Sequence, residues 1–268
     1  YEGAEPLRVP RQMDPMTFRL FETIGEPLPS SILPRAYAVA DLRDIAGWKA
    51  QLEAAERLTR AGALPDNLLL GLYTDRQPAA SGGVWDRVAA LQRFETALST
   101  ASAEAVAKTL PPAWEAMREA SLEVAFATLF AEPLSTIPLA GQAAILARDV
   151  ALLSPNYEAA AARVIGKTPE DELLRAVARG DAPVGPAPDA PLAAAVYDAF
   201  GNPAPRADLM ALARDKELGM AILRLLSLLH DGASGDTSAL RDALATLRAL
   251  GLEDTARRAA LQIVLLQQ

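Results

Sequence analysis

An all-α chain is what this sequence predicts, and three observations carry that prediction. Hydrophobic residues make up 51% of the 268 but aromatics only 5%, so the core is aliphatic, dominated by the strong helix formers Ala and Leu. β-branched runs are scarce, and no segment alternates apolar and polar residues as a half-exposed strand would. Apolar positions instead recur at helical spacing in about a dozen segments joined by loops of a few residues. Loops that short force consecutive helices to lie antiparallel, so the chain reads as successive αα-hairpins with no sheet.

Residues 1–30 are punctuated by Pro6, Pro10, Pro15, Pro27 and Pro29 and are expected to form an N-terminal arm. One short helix opens at Asp14-Pro15, since a first-turn proline loses no intrahelical bond. Met16, Leu20, Phe21 and Ile24 make its apolar stripe, and Gly25 ends it. The helical body then spans 31–180. Ile32 to Leu42 is short and apolar. Gly47 to Ala61 is amphipathic, with Trp48, Leu52 and Ala55 inward and the pairs Lys49–Glu53, Glu53–Arg57 and Glu56–Arg60 outward. Each such pair adds ~0.3 kcal/mol. Gly62 closes that helix, and Asp66 to Tyr73 forms a brief one. The loop Thr74 to Gly83 leads into Val84 to Leu98, where Val84, Val88, Leu91 and Leu98 share a face. Ser102 caps a short helix to Leu110.

The chain is organised around Pro111 to Ile165. Pro111-Pro112 can open a helix that runs to Glu132, with Glu115, Glu119 and Glu123 on one stripe and Trp114, Met117 and Ala120 on another. Val124 to Phe130 carries no charge, so burial on all sides is expected. A second segment, Ile137 to Leu153, is rich in alanine and charged only at Arg148 and Asp149. Ser154-Pro155 caps a third, Tyr157 to Ile165, ended by Gly166. Thr168-Pro169-Glu170-Asp171 is a capping box opening a helix that ends at Gly180. Residues 181–191, with four prolines from Asp181 to Pro191, form a linker to a C-terminal helical subdomain, 192–268, packed on the body. Its helices are Leu192 to Phe200, Arg206 to Arg214, a buried one from Glu217 to Leu229 charged only at Arg224 within its apolar run, Thr237 to Leu250 capped by Asp236, and Glu253 to Gln267 with Glu253–Arg257 and Asp254–Arg258 pairs outside.

Bulk properties exclude several functions. No uncharged run reaches the roughly 20 residues of a membrane span. A net charge of −8 opposes nucleic acid and anionic membrane surfaces, which need clustered Lys and Arg. The absence of cysteine removes disulfides, thiolate metal sites and cysteine nucleophiles. The chain begins at Tyr1, and an exported, processed protein is the expectation. No cofactor is implied.

Hairpins stacked in sequence build an α-solenoid, whose sign is a period of ~34 to 45 residues. The run AAILARDVALLSPNY, Ala143 to Tyr157, resembles the small-residue and closing-proline pattern of tetratricopeptide-like repeats. The likeness covers Ser31 to Gly180, while the full Trp–Leu–Gly–Tyr–Ala–Phe signature is absent from every hairpin. The resemblance implies an α-α superhelix whose concave face binds a peptide or protein.

Candidate binding residues are few. Ser81-Gly82-Gly83 set backbone N–H groups at a helix start that can hold an anion, with Arg87 one turn in and Trp85 beside it. The plainer reading there, an N-cap with flexible glycines, is preferred. Arg148, beside Asp149, is a charge inside an apolar helix, as is Arg224; such charges mark function or face a solvent edge. Trp48, Trp85 and Trp114 are read as core. His230 is the only histidine, so neither a triad nor a histidine metal site is expected, and its plain role is favourable interaction with a helix C-terminus. With no catalytic constellation in view, the expected function is non-enzymatic protein or peptide binding. The alternatives are an all-α enzyme using carboxylates, similar to lytic transglycosylases, and a carrier with Phe126 to Ile145 as apolar pocket walls.

Overall fold

The computed structural model describes residues 13–26, 28, 42, 47–164, 166 and 168–266. Among these the secondary structure is helical throughout, with no strand. The chain divides into two compact units, Tyr1–Leu129 and Phe130–Gln268. The division falls inside a helix, and 181–190 is a loop within the second unit. The expected helix at 32–42 lies outside the described residues.

The first unit holds α1 (Pro15–Thr23), α2 (Trp48–Arg60), α3 (Asp66–Thr74), α4 (Val84–Ser99), α5 (Ala103–Arg118) and the first half of α6 (Glu123–Leu134). Helices α2 to α5 pack in chain order, and α2 also touches α4. Their seam is Leu52, Leu91, Phe94, Val106, Leu110 and Met117, all at most 1% exposed. Each such aliphatic side chain contributes about 1.5–3 kcal/mol on leaving water. Phe94 and Phe126 stack at 5.3 Å between centroids, with Trp114 edge-on to Phe126 at 5.7 Å.

The second unit continues with α7 (Gly141–Leu153), α8 (Tyr157–Ala160), a 3₁₀ turn (Ala161–Arg163), α9 (Pro169–Arg179), α10 (Pro191–Gly201), α11 (Ala207–Arg214), α12 (Leu218–Ala233), α13 (Thr237–Ala249) and α14 (Glu253–Leu266). Here packing departs from chain order: α14 contacts α7, α9 and α10 as well as α13. Arg257 makes that return specific. It is 8% exposed and donates to the carbonyls of Val177 and Ala178 in the last turn of α9. Val177 O also accepts from the Gly180 cap N–H, and the cation adds donors to these last-turn carbonyls and suits the helix dipole.

Several expectations are corrected. The helix capped by Ser102 does not stop at Leu110; it passes through Pro111 and Pro112 to Arg118. Buried Val106, Leu110, Ala113 and Met117 at helical spacing hold it together across the two missing donors. It ends where Ser121 adopts φ 54°, with Leu122 N–H bonded to Met117 O and Ser121 N–H to Arg118 O. That is a Schellman stop without glycine, so the expected helix from Pro111 to Glu132 is divided, its first part belonging to α5 and its second to α6. The second half is not buried on all sides: Val124 is 39% exposed. Pro138 and the extended Ala140 delay α7 to Gly141, and the expected helix from Tyr157 to Ile165 is one α-turn followed by a 3₁₀ turn. In α1 the buried residues are Phe18 and Phe21, while Met16, Leu20 and Ile24 are 70%, 55% and 56% exposed. The two phenylalanines remove more apolar area than the alternative stripe.

Helix α12 is also not buried as expected. Ala221, Leu225 and Gly232 face inward, whereas Leu218, Leu223 and Leu226 are 47%, 62% and 52% exposed. Close approach explains the narrow contact: a Cβ on Gly232 would lie 2.7 Å from Leu240 Cα. Of the expected ion pairs, Lys49–Glu53 and Asp254–Arg258 form, at 3.7 and 3.0 Å. Glu56 instead turns inward to Arg87, Arg60 donates to Ala120 O, and Glu253 pairs with Arg248, freeing Arg257 for α9. Among the described residues no helix is long and apolar enough to cross a membrane.

Candidate functional site

Gly82 and Gly83, at φ 92° and 57°, bring the chain into α4. The Gly82 N–H donates to Asp86 Oδ1 at 3.0 Å, so a carboxylate of the same turn occupies this donor. Ser81 is exposed beside it. Trp85 leans on Trp48 at 5.2 Å between centroids, and the Trp48 indole N–H donates to Leu72 O at 3.0 Å.

Arg87 points away from the glycines into a buried network. Its Nε and Nη2 each donate to Glu56 at 2.8 Å, and the Tyr73 hydroxyl donates to Glu56 Oε1 at 2.6 Å. Glu56 is 3% exposed and Tyr73 fully buried. One carboxylate from α2 thus ties α3 to α4. Burial and the Glu56 charge push the Tyr73 phenol well above its ordinary value. Burial opposes the charge on Arg87, yet the hydrogen bonds and charge of Glu56 leave its pKa raised. The network is a pin that orients α4.

Beside that pin, α4 and α5 enclose a groove of about 720 Å³ together with the loop after α3. Its apolar lining comes from Pro78, Ala89, Ala97 and Ala105, and its polar lining includes Arg93 and Lys108. Among the described residues no Asp or Glu lines it. Thr96, Thr100 and Thr109 donate their hydroxyl hydrogens to the carbonyls of Gln92, Ala97 and Ala105. Gln92 donates to the carbonyls of Tyr73 and Arg76, both at 2.7 Å, which seats the loop on α4. The sequence reading did not find this groove, because its threonines and alanines carry no motif.

In the second unit Arg148 lines a separate cleft of about 540 Å³ with Asp149, Arg163, Thr168, Glu170 and Asp171. Its guanidinium bridges Asp149, at 2.8 Å from Nε, and Asp171, at 2.8 Å from Nη1. Burial raises the Asp149 pKa against the pull of Arg148. For Asp171 burial works the same way, but hydrogen bonds from Thr168 and the charge of Arg148 carry it below its ordinary value. Asp171 also closes the capping box of α9 with Thr168.

No family model, curated protein or solved structure matches this chain. The sites therefore stand on their own chemistry. The expected candidates fall in three places: Ser81, Gly82 and Gly83 at the entrance of α4, Trp85 and Arg87 on its packed side, and Arg148 in the other unit. His230 is exposed in the last turn of α12. Arg224 is exposed on the same helix. Among the described residues no three His, Asp or Glu side chains gather as a metal site would require.

Proposed function

We propose that this chain is a non-enzymatic helical-repeat protein that binds an extended peptide segment of a partner protein in the groove along α4 and α5. The observation that carries the reading is the groove itself, whose volume of about 720 Å³ lies within the range of ligand sites and whose walls mix alanine with polar side chains. The chain-order packing of α2 to α5 supports a stacked-hairpin scaffold, and the buried pin of Glu56, Tyr73 and Arg87 supports a preorganised one.

One observation favours a second reading, a carboxylate enzyme. Asp149 and Asp171 share a cleft, and their pKa values are displaced in opposite directions. Against it, Arg148 bridges both carboxylates and Asp171 also holds the α9 cap.

The test is an array of peptides of about ten residues, some 33 Å when extended. Thr96→Trp with Thr100→Trp, both at exposed positions, fills the groove. Peptides bound by the parent chain and lost by this variant support the reading. A hydrolase turnover abolished by Asp149→Asn would replace it.

A further inference from the structure

The groove that the proposed function uses also carries a charge signature, and we infer that it selects segments bearing a carboxylate side chain at one defined position. The inference rests on the peptide-binding reading and adds the chemistry of the ligand. A chain of net charge −8 presents here a surface with, among the described residues, two cations and no acid. Neither Arg93 nor Lys108 has an ion-pair partner among the described residues, and both are exposed. Elsewhere Arg87, Arg148, Arg206 and Arg248 are each held by a carboxylate.

The two cations stand at one level. The reversal between α4 and α5 is at Ala101, φ 51°. Arg93 precedes it by eight residues and Lys108 follows it by seven, distances of ~12 and ~10.5 Å along antiparallel, packed helices at about 1.5 Å per residue. Arg93 and Lys108 both line the groove, one from each wall and at a similar distance from the turn, so a single carboxylate seated there can meet both.

The neutral groups favour a peptide over other anions. The hydroxyl hydrogens of Thr96, Thr100 and Thr109 are engaged by carbonyls of their own helices, so toward the groove these side chains are acceptors. The Gln92 amide N–H groups are engaged as well, leaving its oxygen. Acceptors along the walls suit the N–H groups of an extended peptide backbone. A phosphodiester backbone has no such donors, and two cations are few against the several phosphate contacts nucleic-acid binding uses. An apolar molecule would desolvate both cations without compensation.

The experiment uses the full chain and a peptide array built in matched sets, each sequence carrying Glu, Gln or Lys at one position. Glu peptides are expected to dominate, Glu→Gln in a bound peptide to weaken it about tenfold or more, and added salt to erode the difference. Arg93→Gln with Lys108→Gln, both at exposed positions, should abolish the Glu preference while residual peptide binding remains. Binding without acid preference, or with Lys preferred, overturns this inference and leaves the peptide-binding reading standing. Binding that ignores Thr96→Trp with Thr100→Trp, or no binding at all, overturns both. A ten-nucleotide single strand held as tightly as the Glu peptides, or a dimer in sedimentation that the tryptophan variant dissolves, also overturns the inference.

Discussion

Glu56 is the single residue on which the geometry of the first unit is expected to depend most. Its carboxylate accepts two hydrogen bonds from Arg87 and one from Tyr73, at 2.8, 2.8 and 2.6 Å, inside a site where Glu56 is 3% exposed. Glu56→Ala leaves a guanidinium charge and a phenol without an acceptor. Removing one partner of a buried pair costs about 3–5 kcal/mol. The Arg87 side chain is 15% exposed, so water reaches part of it and the lower end, about 3 kcal/mol, is the expected value. Glu56→Gln keeps one acceptor and should cost about 1.5–3 kcal/mol, and Tyr73→Phe about 1 kcal/mol. Replacing both ends of the pair together, Glu56→Leu with Arg87→Met, should cost less than either end alone, because no buried charge is stranded. The assay is urea unfolding followed by tryptophan fluorescence. Trp48, Trp85 and Trp114 all belong to the unit that contains the pin, so the signal reports on it. A loss below about 1 kcal/mol for Glu56→Ala, or a double variant no better than the singles, would refute the pin.

Urea unfolding followed by far-UV circular dichroism, which reports on the helices of both units where tryptophan reports only on the first, checks five further expectations. Gly232→Ala should destabilise by about 1–3 kcal/mol, since the new Cβ would sit 2.7 Å from Leu240 Cα. Gly71→Ala, in α3 with nothing within 4 Å, should stabilise by about 0.5–1 kcal/mol. Ser121→Gly and Lys216→Gly relieve φ of 54° and 67° and should each gain about 0.5–1 kcal/mol; a loss at either site would contradict the strain. Among the described residues the buried Thr59 hydroxyl has no hydrogen-bond partner, so Thr59→Val should gain about 1 kcal/mol. Asp149 has a folded pKa raised by burial, so its stability contribution is complete below 3.8 and is lost as pH rises through the folded value. Asp149→Asn should therefore match the parent at pH 3.5 and gain on it at pH 7, read as the shift in urea midpoint.

Helix existence was legible in the sequence because it rests on local causes. Caps at Asp14, Ser102, Thr168 and Asp236 stand where the spacing of apolar residues places them, each accepting from a first-turn N–H. Gly180 and Gly251 end their helices in the left-handed conformation, as their lack of Cβ predicts. Ser121 does the same work with no glycine to announce it, which is why a helix boundary was expected at Pro111 when it falls after Arg118.

By itself the sequence determined that the chain is helical, aliphatic, acidic and without thiols, since composition and a 3.6-residue period act within a few residues of each position. Only the tertiary structure decided which way the amphipathic faces turn and which charges meet. Glu56 reads as an outer member of an i,i+4 pair, yet it lies inward because Arg87 and Tyr73 arrive from two other helices to satisfy it. The leucines of α12 read as core, yet Leu223 stays 62% exposed because Gly232 lets that helix rest on a narrow edge. The groove between Arg93 and Lys108 is likewise invisible in either helix alone, since its charge balance belongs to two walls that meet only when the chain folds.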